Sequence, residues 1–89
     1  MANHKSAVKR IRQSERRRVR NKNTRSRMRT VVKRFHAAVE AGDGENATQQ
    51  FRSAEREIRK AATKGIIPRT RASRTVGRLA KQLGRLSNS

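Results

Sequence analysis

The sequence has no cysteine, no tryptophan and no tyrosine, a single proline, and only six acidic residues among 89. Without cysteine there are no disulfides, no thiolate nucleophiles and no cysteine-ligated zinc, a composition that suits a reducing compartment. The only aromatic residues are two phenylalanines. Both fall on apolar stripes, which leaves no aromatic platform on which single-stranded bases could stack. No apolar run approaches the roughly 18 residues of a membrane span. Met1 to Arg10 are polar and basic, so no secretory leader is expected. A chain of this length makes one small domain with a modest core and no roomy catalytic cavity.

Catalytic constellations are missing as well. There are no paired carboxylates, no nucleophile with its base, and no glycine loop able to cradle phosphate, because Gly42-Asp43-Gly44 carries an acid that would repel it. His4 and His36 stand isolated, which suits surface or half-packed roles better than metal binding. No enzymatic activity, cofactor, metal or small-molecule substrate is expected.

What the sequence does have is positive charge: 25 Lys and Arg, and a formal net charge of +19. It is unevenly placed. Residues 1–34 carry 14 basic side chains and one acidic, residues 35–60 carry 4 basic and 5 acidic, and residues 61–89 carry 7 basic and none acidic. A neutral middle between two cationic arms is the distribution of a protein that meets a polyanion.

The periodicity is helical throughout, and no stretch alternates apolar and polar residues as a half-buried strand does. Met28, Val31, Val32, Phe35, Ala38 and Val39 form one apolar stripe, ended by Gly42-Asp43-Gly44. Ala47, Phe51, Ala54, Ile58 and Ala61 form a second, spaced four, three, four, three. Lys64-Gly65 stops it, with glycine free to take the left-handed cap conformation. Pro68 is tolerated in the first turn of the next helix, whose stripe is Ala72, Val76, Leu79, Leu83 and Leu86. Three stripes joined by short connections predict an all-α three-helix bundle. Backwards from Met28 there is no proline or glycine, so the first helix is expected to run from about Ser6 to Ala41 and to protrude well beyond its partners. Its weak point is Asn21-Lys22-Asn23-Thr24, four mediocre helix formers where a bend or break could occur. Residues 1–89 are read as one domain: a basic helical arm (1–27), a three-helix core (28–86) and a short tail (87–89).

The arm carries the functional argument. Lys9, Arg10, Arg12, Arg16, Arg17, Arg18, Arg20, Lys22, Arg25, Arg27 and Arg29 step round the helix and leave no side neutral. Val8, Ile11 and Val19 are too few to make the apolar face that membrane binding needs. Like charges one turn apart, such as Arg12 with Arg16 and Arg16 with Arg20, each cost a few tenths of a kcal/mol in isolation, a penalty that an anionic partner reverses. Arginine outnumbers lysine, and a guanidinium can clamp phosphates in bidentate fashion. Nucleic acid touching several sides of the helix explains this pattern. A leucine-zipper protein is excluded, since Gly42-Asp43-Gly44 interrupts any long heptad seam. A general DNA-compacting or architectural protein remains the alternative to an RNA-binding one.

Met1-Ala2-Asn3, Lys5-Ser6-Ala7, Lys9-Arg10, Arg12-Gln13-Ser14, Arg17-Arg18, Asn21, Arg25-Ser26, Arg29-Thr30 and Lys33 stand in a specific order and spacing. So do Glu40-Ala41-Gly42-Asp43, Ala61, Lys64-Gly65-Ile66-Ile67, Ala72, Arg74 and Arg78-Leu79. Over nearly its whole length the chain resembles the bacterial small-subunit ribosomal proteins numbered twenty. The resemblance implies a three-helix bundle with a long first helix. It also implies a cytoplasmic structural component of the small ribosomal subunit that binds 16S ribosomal RNA directly and assists its folding, with neighbouring small-subunit proteins as further partners and no homo-oligomer. Residue by residue, it implies RNA contact for the matching basic positions of the first helix, Lys5 and Lys33 among them, and for Arg74 and Arg78; Asn21 and Lys64 also stand in the candidate RNA-binding set. Arg69 and Arg71, in the cationic C-terminal segment, complete the candidate RNA-binding set. The family usually has His and Asn where this chain has Pro68 and Thr70, and often Ser in place of Gly77.

Overall fold

The computed structural model describes the backbone of residues 2–88 and the side chains of residues 6–87. It contains three α-helices, α1 (Ala2–Glu40), α2 (Gly44–Thr63) and α3 (Arg69–Asn88), and no strand among the described residues. The all-α bundle with a protruding first helix, expected from the stripes, is the architecture found. The body measures 68 × 22 × 13 Å, with a radius of gyration of 17.8 Å against about 12 Å for a compact chain of this length. The excess is α1, whose 39 residues run about 58 Å at helical rise.

α1 begins at Ala2, four residues before the expected Ser6, and ends one residue before Ala41. It also passes through Asn21–Thr24 without a break. The reason lies in the packing: Asn21 is half-buried and Thr24 is 6% exposed, so this stretch is the first rung of α1 to meet the bundle. Thr24 Oγ1 donates to the Arg20 carbonyl at 3.0 Å, which satisfies a buried hydroxyl inside its own helix. Tertiary contact outweighs the weak local propensity of these four residues.

The two turns are built by similar means. Gly42 and Gly65 have φ of 71° and 76°, a left-handed conformation that glycine adopts without the strain a Cβ brings. After α1, Gly42 N–H donates to Val39 O and Asp43 N–H to Ala38 O; after α2, Gly65 N–H donates to Ala62 O and Ile66 N–H to Ala61 O. Both are the paired bonds of a Schellman cap. Asp43 then opens α2, its Oδ1 accepting from Asn46 N–H at 3.1 Å, as an N-cap carboxylate does. One residue thus closes one helix and starts the next. Pro68 sits just before α3 instead of inside its first turn, and its carbonyl accepts from Ala72 N–H at 3.0 Å.

The core is small and rich in alanine: Phe35, Ala38, Ala47, Ala54, Ile58, Ala61, Ala72, Val76 and Leu79 are buried, Phe35 and Ile58 being the largest fully enclosed side chains. Phe35 meets Phe51 across the α1/α2 seam, ring centroids 6.1 Å apart and tilted. Met28, Val31, Val32, Val39, Phe51, Leu83 and Leu86 pack around this core half-exposed. α2 packs along both other helices, whereas α1 and α3 barely touch. The near-neutral segment therefore lies between the two cationic ones along most of their length.

Gly77 is exposed in the interior of α3, and a Cβ built there meets nothing within 4 Å. Gly77→Ala is expected to stabilise the bundle by about 0.5–1 kcal/mol through reduced freedom of the unfolded chain. Thermal unfolding followed at 222 nm should show a rise of several degrees.

Candidate nucleic-acid interface

From Ser6 to Arg20 every side chain of α1 is exposed. About four turns of helix thus stand clear of the core, and only their C-terminal end, at Arg16 and Arg20, comes near another helix, at Lys64. Lys9, Arg10, Arg12, Arg16, Arg17, Arg18 and Arg20 project from all sides of this free segment, and Lys22, Arg25, Arg27, Arg29 and Lys33 continue exposed along the part that meets the bundle. Asn21 is half-buried, so it faces the bundle as much as solvent. The Lys5 side chain lies outside the described residues. Glu15, the one carboxylate of the arm, accepts from Arg18 Nη2 at 3.0 Å, an exposed pair worth under about 1 kcal/mol and easily exchanged for a phosphate. Val8, Ile11 and Val19 are exposed single residues between the cations.

Lys64, Arg69, Arg71, Arg74 and Arg78 are exposed too. The fold brings some of the candidates together. Lys64, at the end of α2, shares a groove with Arg16, Arg20, Thr24 and Arg27 of α1. Arg71 of α3 faces Arg25, Arg29 and Lys33 of α1 across another. Arg74 and Arg78 belong to neither group. They lie on an exposed row of α3, Arg71, Arg74, Arg78, Lys81 and Arg85, spaced three, four, three, four. The sequence reading left Lys81 and Arg85 out of its candidate set, although that spacing already places them on one helix face. Both α1 and α3 also lack an acid in the first turn, and α3 opens with two arginines where the positive end of the helix dipole disfavours them. These cations stand against helix-dipole and like-charge preferences.

Among the described residues no group of three His, Asp or Glu side chains could hold a metal, and no helix is long and apolar enough to cross a membrane. The sequence profile of the family described as "Ribosomal protein S20" matches residues 2–84. The chain belongs to the ribosomal protein S20 family. The chain is 56% identical to "Small ribosomal subunit protein bS20" of Desulforapulum autotrophicum over 84 residues, 94% of this chain and all of that protein. It is 47% identical to the protein of the same name from Geobacillus thermodenitrificans over 89 residues, the whole of both chains. The corresponding Salinispora tropica protein is 45% identical over 87 residues, 98% of this chain and 99% of its own length. S20-family membership thus extends over the basic arm and the bundle together.

Proposed function

We propose that this chain is a structural constituent of the small ribosomal subunit that binds 16S ribosomal RNA directly and helps to fold it. Family membership over the full length supports the setting. The observation that carries the mode of binding is the cationic helical segment of about four turns, residues 6–20, in which every side chain is exposed. A duplex groove or a junction can surround such a helix, and its guanidinium groups then reach phosphates on more than one side. Residues 1–27 act as the RNA-binding arm and residues 28–86 as the core, with Thr24 at the joint. Arg69, Arg71, Arg74 and Arg78 supply a second contact surface. The role requires no catalysis, no cofactor and no second copy of the chain, while neighbouring small-subunit proteins remain available as partners.

The arm folds on binding. Like charges one turn apart oppose an isolated helix, and a segment with few apolar residues cannot order itself by burial. RNA binding then completes the long helix.

Competition between 16S ribosomal RNA and duplex DNA of equal phosphate content tests the proposal. With rising salt, non-specific phosphate binding falls steeply while a shaped site keeps its preference. The chain is expected to retain 16S ribosomal RNA after DNA is released; equal loss of both would favour a general DNA-compacting protein.

A further inference from the structure

The groove between α1 and the start of α3 differs from the rest of the interface. Its floor is aliphatic, made by Met28, Val32, Ile66 and Ile67 with Ile58 beneath them. Its rim is cationic: Arg25, Arg29 and Lys33 on one lip, Arg71 on the other. It is an open trough of about 590 Å³, within the range of small-ligand sites. Two other grooves along α1 each include a carboxylate, Glu57 in one and Glu15 in the other, whereas none lines this one. We propose that this groove seats a single unpaired RNA base, its face on the aliphatic floor and its flanking phosphates on the α1 and α3 cations.

Continuity with the arm decides between RNA and an acidic protein segment. Arg18, Lys22, Arg25, Arg29 and Lys33 are spaced four, three, four, four. They therefore share one face of α1 about 80° wide, and all five are exposed. Successive cations on the groove's lip stand about 6 Å apart by helical rise, close to the step between phosphates along one RNA strand. A strand bound to the arm runs along this row into the groove without leaving the cationic track. There it meets the apolar concavity, with Arg71 on the far lip. An unstacked base brings an apolar face and a phosphate on either side, and it fits a site with an aliphatic floor for the face and guanidinium groups able to donate hydrogen bonds to its edge. This assignment rests on the RNA-binding reading and specifies what one part of the interface holds.

The test uses the full chain, 16S ribosomal RNA and no other ribosomal protein. Ile67→Lys adds a positive charge to the groove while removing part of its apolar floor. Simple phosphate attraction predicts tighter binding. A seated base predicts binding about tenfold weaker at equal salt, with no loss of salt dependence; equal or tighter binding by the variant overturns the assignment. Hydroxyl-radical oxidation of the wild-type chain gives a result independent of the variant's folding. Met28 and Ile67 are expected to be protected when 16S ribosomal RNA binds. Unchanged oxidation at both, with protection confined to the arm, overturns the groove assignment and leaves the RNA-binding reading standing. In a second arm with small-subunit proteins added, protection that appears only there overturns the base assignment in favour of a protein partner, and wild-type failure to bind 16S ribosomal RNA at all overturns both.

Discussion

A chain carrying Arg16→Ala, Arg17→Ala and Arg18→Ala together is expected to bind 16S ribosomal RNA about 100-fold more weakly than the parent at fixed salt. The three are consecutive, so they point in directions about 100° apart and cover most of the circumference of the arm. All are exposed, and Glu15 is the only carboxylate close to them, paired with Arg18. Each lost phosphate contact is worth about 1 kcal/mol here, below the roughly 1.5–3 kcal/mol of buried charge-assisted bonds because these side chains are exposed. Each also lowers the slope of log K against log salt by about 0.7–0.9, so the slope should fall by about two to three. The fold should survive, because none of the three side chains touches the core and alanine is the better helix former. Anisotropy titrations over a salt series separate the two effects. Unchanged affinity together with an unchanged slope would move the contact surface off the arm.

Phe35→Ala acts on the other half of the molecule. Phe35 is fully enclosed and faces Phe51 across the α1/α2 seam. A large-to-small change at such a site costs about 3–5 kcal/mol. The remaining core is mostly alanine, which has no spare side-chain volume to fill the gap. Small domains are stable by only about 0.05–0.15 kcal/mol per residue, and a bundle with so small a core belongs at the low end, where this one substitution removes most of its stability. The expected result is a chain largely unfolded at 37 °C by far-UV circular dichroism. It should keep weak, strongly salt-dependent RNA binding through the arm and lose the contribution of α3. A cooperative melt close to that of the parent would show that Phe35 does not anchor the core.

The stripes in the sequence announced the three helices because an amphipathic helix must repeat its apolar residues at three and four. Gly42 and Gly65 announced the turns because left-handed backbone favours glycine. What stayed hidden was decided between segments. Asn21–Thr24 look weak in isolation, yet Thr24 is buried in the fold, on a groove it shares with Lys64, and no local rule reveals that. The stripes also say that each helix buries a face without saying which faces meet, so the central place of α2 emerges only from the structure. The exposed cations of the arm could be read one by one. The α1/α3 groove could not, since Val32, Ile67, Arg29 and Arg71 lie far apart in the chain and converge through folding. Lys81 and Arg85 are a different case: their three-and-four spacing with Arg74 and Arg78 is legible in the sequence, and all four are exposed on α3.

The central claim is that the arm is the RNA-binding element and becomes a stable helix by binding. Amide hydrogen exchange of the full chain, free and bound to 16S ribosomal RNA, measures both halves of that claim at once. Free protein should exchange rapidly across residues 6–20 and slowly at the buried positions of α2 and α3, and RNA should bring strong protection to the arm while changing the core little. An arm equally protected with and without RNA, or still unprotected in the complex, would contradict the account.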